Sequence, residues 1–420
     1  MKPRILVISP YNPFTPNTGG SKRWLLSRLE SLSQRADITV VTFAETCQSQ
    51  ELADRLGVAT ICAPQPPRPR TSRMALARGC AILLGRLTVF SDIWRMVRAL
   101  APSVRICAQD RFDLIQVEDV LLAPLTLYLP RDVQRLLVLH NLLTAYFTSV
   151  ADSRTAFHRK WVATIEREWV RRFERQMLPR FTATVVLTRK EREQARALSP
   201  DSRVYEIPLE VDTSIFRPYP VQQEWPSIAF SGTMSYPPNE EAALYLHASI
   251  LPRIRERFPA VTCYVIGRNP TVRLQSRAGE GFIVTGEVDD VMSYLMRASV
   301  VVIPLLTGAG MRVKLLEAWA LSRPVVSTSL GADGLEYRNN EHLLIADGAT
   351  QFADKVCSLL EDPGRATTLG QNGRRLVEER YSRERVWPLW EEVYAELLGG
   401  GGLAQTRRRS VGSGKSYGAM

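Results

Sequence analysis

Short apolar runs rich in β-branched residues recur along the whole chain, and helix-length amphipathic stretches separate them. In the first half they read as strands at 4–9, 37–43, 114–118, 136–140, 182–188 and 203–208. In the second half they fall at 227–232, 261–267, 281–286, 299–304, 324–328 and 342–346. Strands that are apolar at nearly every position are buried on both faces, which means parallel sheets covered by helices. Between the two series lies a segment at 208–226 carrying Pro208, Pro218, Pro220 and Pro226, the composition of a linker. The expected fold class is therefore α/β, with two doubly wound domains. A length of 420 residues fits that count. The boundaries expected are 1–210 and 211–385.

Charge narrows the partners. The net formal charge of +11 is concentrated in residues 68–111, 154–180 and the tail. A clustered basic surface calls for an anionic partner. No nucleic-acid partner is expected, because no basic stripe interleaved with aromatics and no known module is present. No apolar run reaches membrane-helix length, and the N-terminus lacks the apolar stretch of a signal peptide, so a cytoplasmic location is expected. Six separated cysteines with no C-x-x-C pair read as reduced thiols. Residues 399–420 read as a disordered basic tail. Its GSGKS (412–416) lacks the leading glycine and the preceding strand that a phosphate loop needs.

Ligands of open parallel sheets bind beyond the carboxyl ends of the strands. Four features stand there. Gly19 and Gly20 sit between the first strand and the first helix, where backbone can approach a ligand closely. His140 closes the run LLVLH. In SVVVIPLLTGAGMRVKLLEAWA (299–320) a strand runs into Gly308, Ala309 and Gly310, then into a helix from about Met311 to Leu321. Arg312 and Lys314 fall in its first turn, the unfavourable end for cations unless an anion is bound there. Glu317, one turn further, can accept from two ribose hydroxyls. In SGTMSYPPN (231–239) a helix opens after Pro237 and Pro238, with Asn239 or Ser235 as candidate caps. No Asp-x-Asp is present, so no metal-bridged diphosphate site and no cofactor are expected.

Taken in this order, these motifs resemble the donor site of retaining glycosyltransferase family 4. VDTSIFRP (211–218), VIGR (265–268), GADGLEY (331–337) and TGEVDDVMSYLMRASVVVIP (285–304) agree with it. The similarity is to sugar transferases of bacterial exopolysaccharide assembly, and it extends to about residue 398. It implies the GT-B fold: two Rossmann-like domains facing across a cleft, the first for the acceptor and the second for the donor. It also implies a last helix, 386–398, that returns to the first domain. By this resemblance Glu317 holds the ribose. The backbone from Ala309 through Met311 to Arg312 cradles sugar and diphosphate. Gly19 and Gly20 meet the phosphates, His140 lies near the transferred sugar, and Gly286 and Glu287 hold the base. The chain departs from the family pattern at Ala309, where a second Glu is usual, and at Glu210, where a Gly is usual. The basic residues that normally follow the SGT strand are also missing, a role Arg312 and Lys314 can take.

The expected activity is metal-independent transfer of a sugar from a nucleotide-sugar to a hydroxyl of a glycan or lipid-linked acceptor, with retention. The alternatives are a nucleotide-sugar epimerase on the same fold and a non-catalytic scaffold of a membrane glycan-assembly complex. Residues 73–100 place Leu76, Cys80, Leu83, Leu87, Phe90, Trp94 and Val97 on one helical stripe, with Arg78, Arg86, Arg95 and Arg98 largely off it. That pattern suits peripheral contact with an anionic membrane.

Overall fold

The computed structural model describes residues 2–15, 20–43, 48–65, 88–152, 157–308, 310 and 312–399. Among these, two parallel sheets carry the molecule. The first has seven strands: β1 (Arg4–Ile8), β2 (Asp37–Phe43), β3 (Ala59–Ala63), β4 (Leu114–Glu118), β5 (Gln134–Val138), β6 (Ala183–Val186) and β7 (Arg203–Glu206). Their spatial order is β3-β2-β1-β4-β5-β6-β7. The second has six: β8 (Glu224–Ser231), β9 (Thr262–Ile266), β10 (Phe282–Gly286), β11 (Ala298–Ile303), β12 (Val325–Ser327) and β13 (Leu344–Ile345), ordered β10-β9-β8-β11-β12-β13. Each order reverses once, between β1 and β4 and between β8 and β11. At such a reversal the helices leave to opposite faces and a crevice opens beyond the strand ends.

The strand interiors explain the parallel arrangement. Ile5, Leu6, Val7 and Ile8 of β1, and Val300, Val302 and Ile303 of β11, have no exposed surface. Such runs need cover on both faces. β3 escaped the reading of the sequence. It is a half-exposed edge strand beside β2, so its sequence ATICA lacks the continuous apolar signal of a buried strand. β5 ends at Val138, which leaves His140 in the following loop rather than in a strand.

The last helix, Arg383–Leu397, lies against the first domain. Trp390 packs on Trp24, the Tyr394 hydroxyl donates to Gln116 Oε1 at 2.7 Å, and Arg383 reaches Glu30, Ser27 and Ser31 of the helix Gly20–Ser33. The helix Thr88–Cys107 buries Ile93, Val97, Leu100 and Val104 in the first-domain core, with Trp94 packed against it. Trp94 and Val97, the part of the proposed membrane stripe whose side chains are described, are therefore turned inward. Residues 66–87, with the rest of the stripe except Phe90, lie outside the described residues, and so do 400–420 of the tail. Cys107, Cys263 and Cys357 are buried free thiols, and Cys62 is exposed.

In the second domain the helix Val313–Ala320 is held from behind by the helix Pro363–Arg380. Trp319, fully buried, donates its Nε1–H to the His342 carbonyl at 2.8 Å. Gly373 makes room for that indole: a Cβ there would lie 2.2 Å from Trp319 Cδ1. A methyl group has no route past a closed ring in a packed interior. Gly373→Ala is expected to destabilise the protein by about 1–3 kcal/mol, the usual cost of overpacking, read as a lower urea midpoint at unchanged m-value.

Candidate active site

The two crevices face each other. On the first-domain side β4 ends at Glu118 and Asp119, and the chain after β5 brings His140 and Asn141. On the second-domain side the loop after β11 leads into the helix Val313–Ala320. Gly310 closes the gap. Its φ is +83°, and a Cβ there would lie 3.0 Å from the His140 carbonyl oxygen and 3.3 Å from Asn141 Cβ. Only glycine tolerates both that conformation and that approach. Gly308, at φ +119°, donates its N–H to Ser149 Oγ at 3.1 Å. The loop is thus docked on the first domain at two points. Beside it lies a cavity of about 330 Å³ lined from both domains, by Thr148, Ser149 and Lys190 on one side and Leu306, Gly308 and Asp333 on the other.

The helix after the loop starts at Val313, two residues later than expected, with Arg312 as its N-cap residue and no side chain capping it. The free N–H groups of the first turn carry the positive end of the helix dipole. Arg312 is buried and donates Nε–H to the Leu330 carbonyl at 3.2 Å. Burial lowers its pKa. Lys314 points its ammonium at Asn239 Oδ1, 2.7 Å away, and over the Phe230 ring at 4.5 Å. Burial first, and then the neighbouring Arg312, lower its pKa to about 7. Asn239 is therefore not a cap. Its amide donates to the Thr233 carbonyl at 3.0 Å, and the helix Pro237–Tyr245 begins after Tyr236 with no side-chain cap from Ser235 or Asn239.

Glu317 is buried on the same helix. Its pKa is raised by burial, a shift opposed by Arg23 and Lys314. Its Oε1 accepts from Arg23 Nη2, a residue of the first-domain helix Gly20–Ser33. No local sequence pattern marks this cross-cleft pair, because the partners lie 294 positions apart. Arg23 also lies over the Phe216 ring, 5.3 Å from its centroid. Gly286 and Glu287 stand at the carboxyl end of β10, two strands out from β8, with Gly286 at φ +71°. Gly20 opens its helix, while Gly19, Ala309 and Met311 lie outside the described residues. The unusual Glu210 accepts from Trp24 Nε1 at 3.1 Å and Ser27 Oγ at 3.1 Å, which ties the linker to the first-domain helix.

Two family models match the chain in succession: a glycosyl transferase 4-like domain over residues 19–209 and glycosyl transferases group 1 over 225–362. The chain belongs to glycosyltransferase family 4. A phosphatidyl-myo-inositol mannosyltransferase of Mycolicibacterium smegmatis is 29% identical over 222 residues, 50% of this chain and 56% of that protein. The chain thus matches about half the length of that curated relative. Among solved structures, sucrose-phosphate synthase from Thermosynechococcus elongatus superposes with a TM-score of 0.70 at 17% identity, covering 95% of this chain and all of the other. Anabaena HepE in complex with UDP-glucose gives 0.64 at 12% identity, covering 93% and 99%. At such identities the likeness establishes the fold, and that fold is GT-B.

The depressed Lys314 has a measurable consequence. Its ordinary pKa is near 10.5 and its folded value about 7. Between these values the free protein holds Lys314 largely neutral, and a bound diphosphate would restore the proton. If a nucleoside diphosphate binds here, its binding at about pH 8 is expected to take up a proton, with affinity falling as pH rises from about 7 to 9. Calorimetry in buffers of different ionisation enthalpy checks this, and Lys314→Met should abolish the uptake.

Proposed function

We propose that this protein transfers a sugar from a nucleotide-sugar to a hydroxyl acceptor, with retention and without a metal. The observation that carries the reading is one short helix. It presents uncapped N–H groups, Arg312, Lys314 and Glu317 to a crevice that faces His140. The diphosphate of the donor would occupy the helix start, with the ribose at Glu317 and the base toward Gly286 and Glu287. The transferred sugar would lie between His140 and the loop 308–312. As the sugar–phosphate bond breaks, negative charge grows on the leaving diphosphate, where fixed dipoles, the buried Arg312 and the half-buried Lys314 are already in place. The acceptor hydroxyl would attack from the face the leaving group vacates and pass its proton to the leaving phosphate. Retention rests on the family resemblance, and UDP-glucose as a trial donor on the HepE complex.

Ligand-observed NMR with a panel of nucleotide-sugars, followed by a transfer assay, tests this directly. Glu317→Ala is expected to lower kcat/KM by roughly 10- to 150-fold, the loss of a charged hydrogen bond. Arg23→Gln should act in the opposite direction. Arg23 occupies the carboxylate a ribose would use, so its removal is expected to tighten UDP binding. EDTA should leave turnover unchanged. Activity lost to EDTA and restored by magnesium would refute the cationic role of Arg312 and Lys314.

A lipid-linked acceptor fits a second surface. Among the described residues, the helix Phe157–Met177 exposes Trp161 and Trp169 by about half, 54% and 47%, with Arg171, Arg172 and Arg175 exposed on the same helix. Indole rings beside arginines suit a lipid interface. The mannosyltransferase relative is named for a phosphatidyl-myo-inositol substrate. The contact proposed is peripheral; no described helix is long and apolar enough to cross a membrane. Sedimentation with anionic liposomes is expected at low salt, weakened by added salt and by the double change Trp161→Ala, Trp169→Ala. A protein that stays in the supernatant under these conditions ends the membrane proposal.

A further inference from the structure

Beneath His140 lies a set of buried polar groups that the proposed transfer does not use. Arg28 and Glu118 both have fully buried side chains, and Arg28 Nη2 donates to Glu118 Oε1 at 2.6 Å. Gln116 Nε2 donates to the same oxygen at 2.5 Å. The other oxygen, Oε2, lies 3.1 Å from His140 Nε2. The Arg28 guanidinium is clamped between two indoles, 4.4 Å from the Trp24 centroid and 4.3 Å from that of Trp390. Its Nε and Nη1 have no hydrogen-bond partner among the described residues. Trp390 and Tyr394 belong to the last helix, and Tyr394 also donates to Gln116. A buried ion pair is a poor way to stabilise a core, since well-packed apolar side chains of similar volume do as well or better. Three elements nevertheless converge on one carboxylate, and its remaining oxygen is spent on the histidine at the cleft.

We propose that Glu118 is a positioning residue that holds His140 in its Nε2-protonated form and fixes its ring orientation at the cleft, with Arg28 and the last helix keeping Glu118 in place. The argument is one of hydrogen-bond capacity. Arg28, Gln116 and His140 hold Glu118 ionised, against the cost of its burial. An ionised carboxylate only accepts, so His140 Nε2 must carry the proton and donate it. In the neutral ring Nδ1 is then an acceptor, able to take a hydrogen bond from a sugar or acceptor hydroxyl. The other groups around the imidazole leave this assignment intact. Tyr11 and Trp24 meet it through their rings, at 5.8 and 5.2 Å between centroids. Asp119, whose carboxyl pKa burial pushes up, accepts from the Leu121 N–H through Oδ1 at 3.1 Å and makes no hydrogen bond to the ring among the described residues.

The role of Glu118 rests on the placement of His140 beside the transferred sugar, but its test does not need turnover. The chain has four histidines, so imidazole 15N correlation spectra are tractable, and His140→Gln identifies the relevant signals. At about pH 8.5, where a histidine is ordinarily neutral, the unaltered protein should show His140 protonated at Nε2. In Glu118→Gln the amide oxygen can still face Arg28 and Gln116. Its NH2 then faces His140, and the ring should change to the Nδ1-protonated form. The same change should lower kcat at least tenfold with donor KM altered less than about threefold, while Glu118→Asp restores the tautomer and part of kcat. A His140 found Nδ1-protonated in the unaltered protein overturns the proposal without any variant. So does a Glu118→Gln protein whose tautomer and kcat are unchanged. If no donor is turned over by the unaltered protein, the transfer reading fails, yet the tautomers still decide the role of Glu118.

Discussion

Parallel strands impose the constraint from which the rest of this molecule follows. Each connection must cross the sheet through a helix, and a sheet built outward in both directions reverses its order once. Here the reversals fall between β1 and β4 and between β8 and β11. At these two places strand ends and helix starts are left uncovered. Glu118, Asp119 and His140 gather at one, and the loop 304–312 with its helix at the other.

The site is then shaped by what burial does to charge. Arg312 and Glu317 are buried at one helix, and Lys314 between them is half-buried with its ammonium drawn out of water. In that setting a lysine loses most of its affinity for a proton, and a carboxylate needs a cationic partner. Glu317 takes Arg23 from the opposite domain, and Lys314 takes a neutral amide. Under the proposed function, an anionic, hydroxyl-bearing ligand would displace both arrangements. The first domain solves the same problem permanently. Arg28 and Glu118 pair in its core, and the last helix covers the pair with Trp390 and Tyr394.

Much of this was legible in the residues. Continuous apolar strands identified both sheets because burial on two faces leaves a signal that depends only on local sequence. The Gly308–Gly310 segment announced a loop at a helix start for the same reason. The edge strand β3 was missed because its exposed positions dilute that signal. The stripe through Trp94 and Val97 was assigned to lipid, whereas both residues face the core of their own domain. An amphipathic period records that one face is apolar but not what covers it. Asn239, like Ser235, is a candidate cap in the sequence because its neighbours resemble a helix start. In the fold its amide answers Thr233 and Lys314, partners set by the packing of β8 against the helix Val313–Ala320.

The sequence by itself determined the two sheets, the family and the identity of the polar residues at the strand ends, since each is written in local pattern. Only the tertiary structure decided which of those residues meet. Arg23 reaches Glu317, Gly310 rests on His140, and Arg28 lies between indoles that are hundreds of positions apart in the chain. Such contacts depend on how two domains and a returning helix close on one another. That closure is the sum of many weak, non-directional contacts, and no single stretch of residues encodes it.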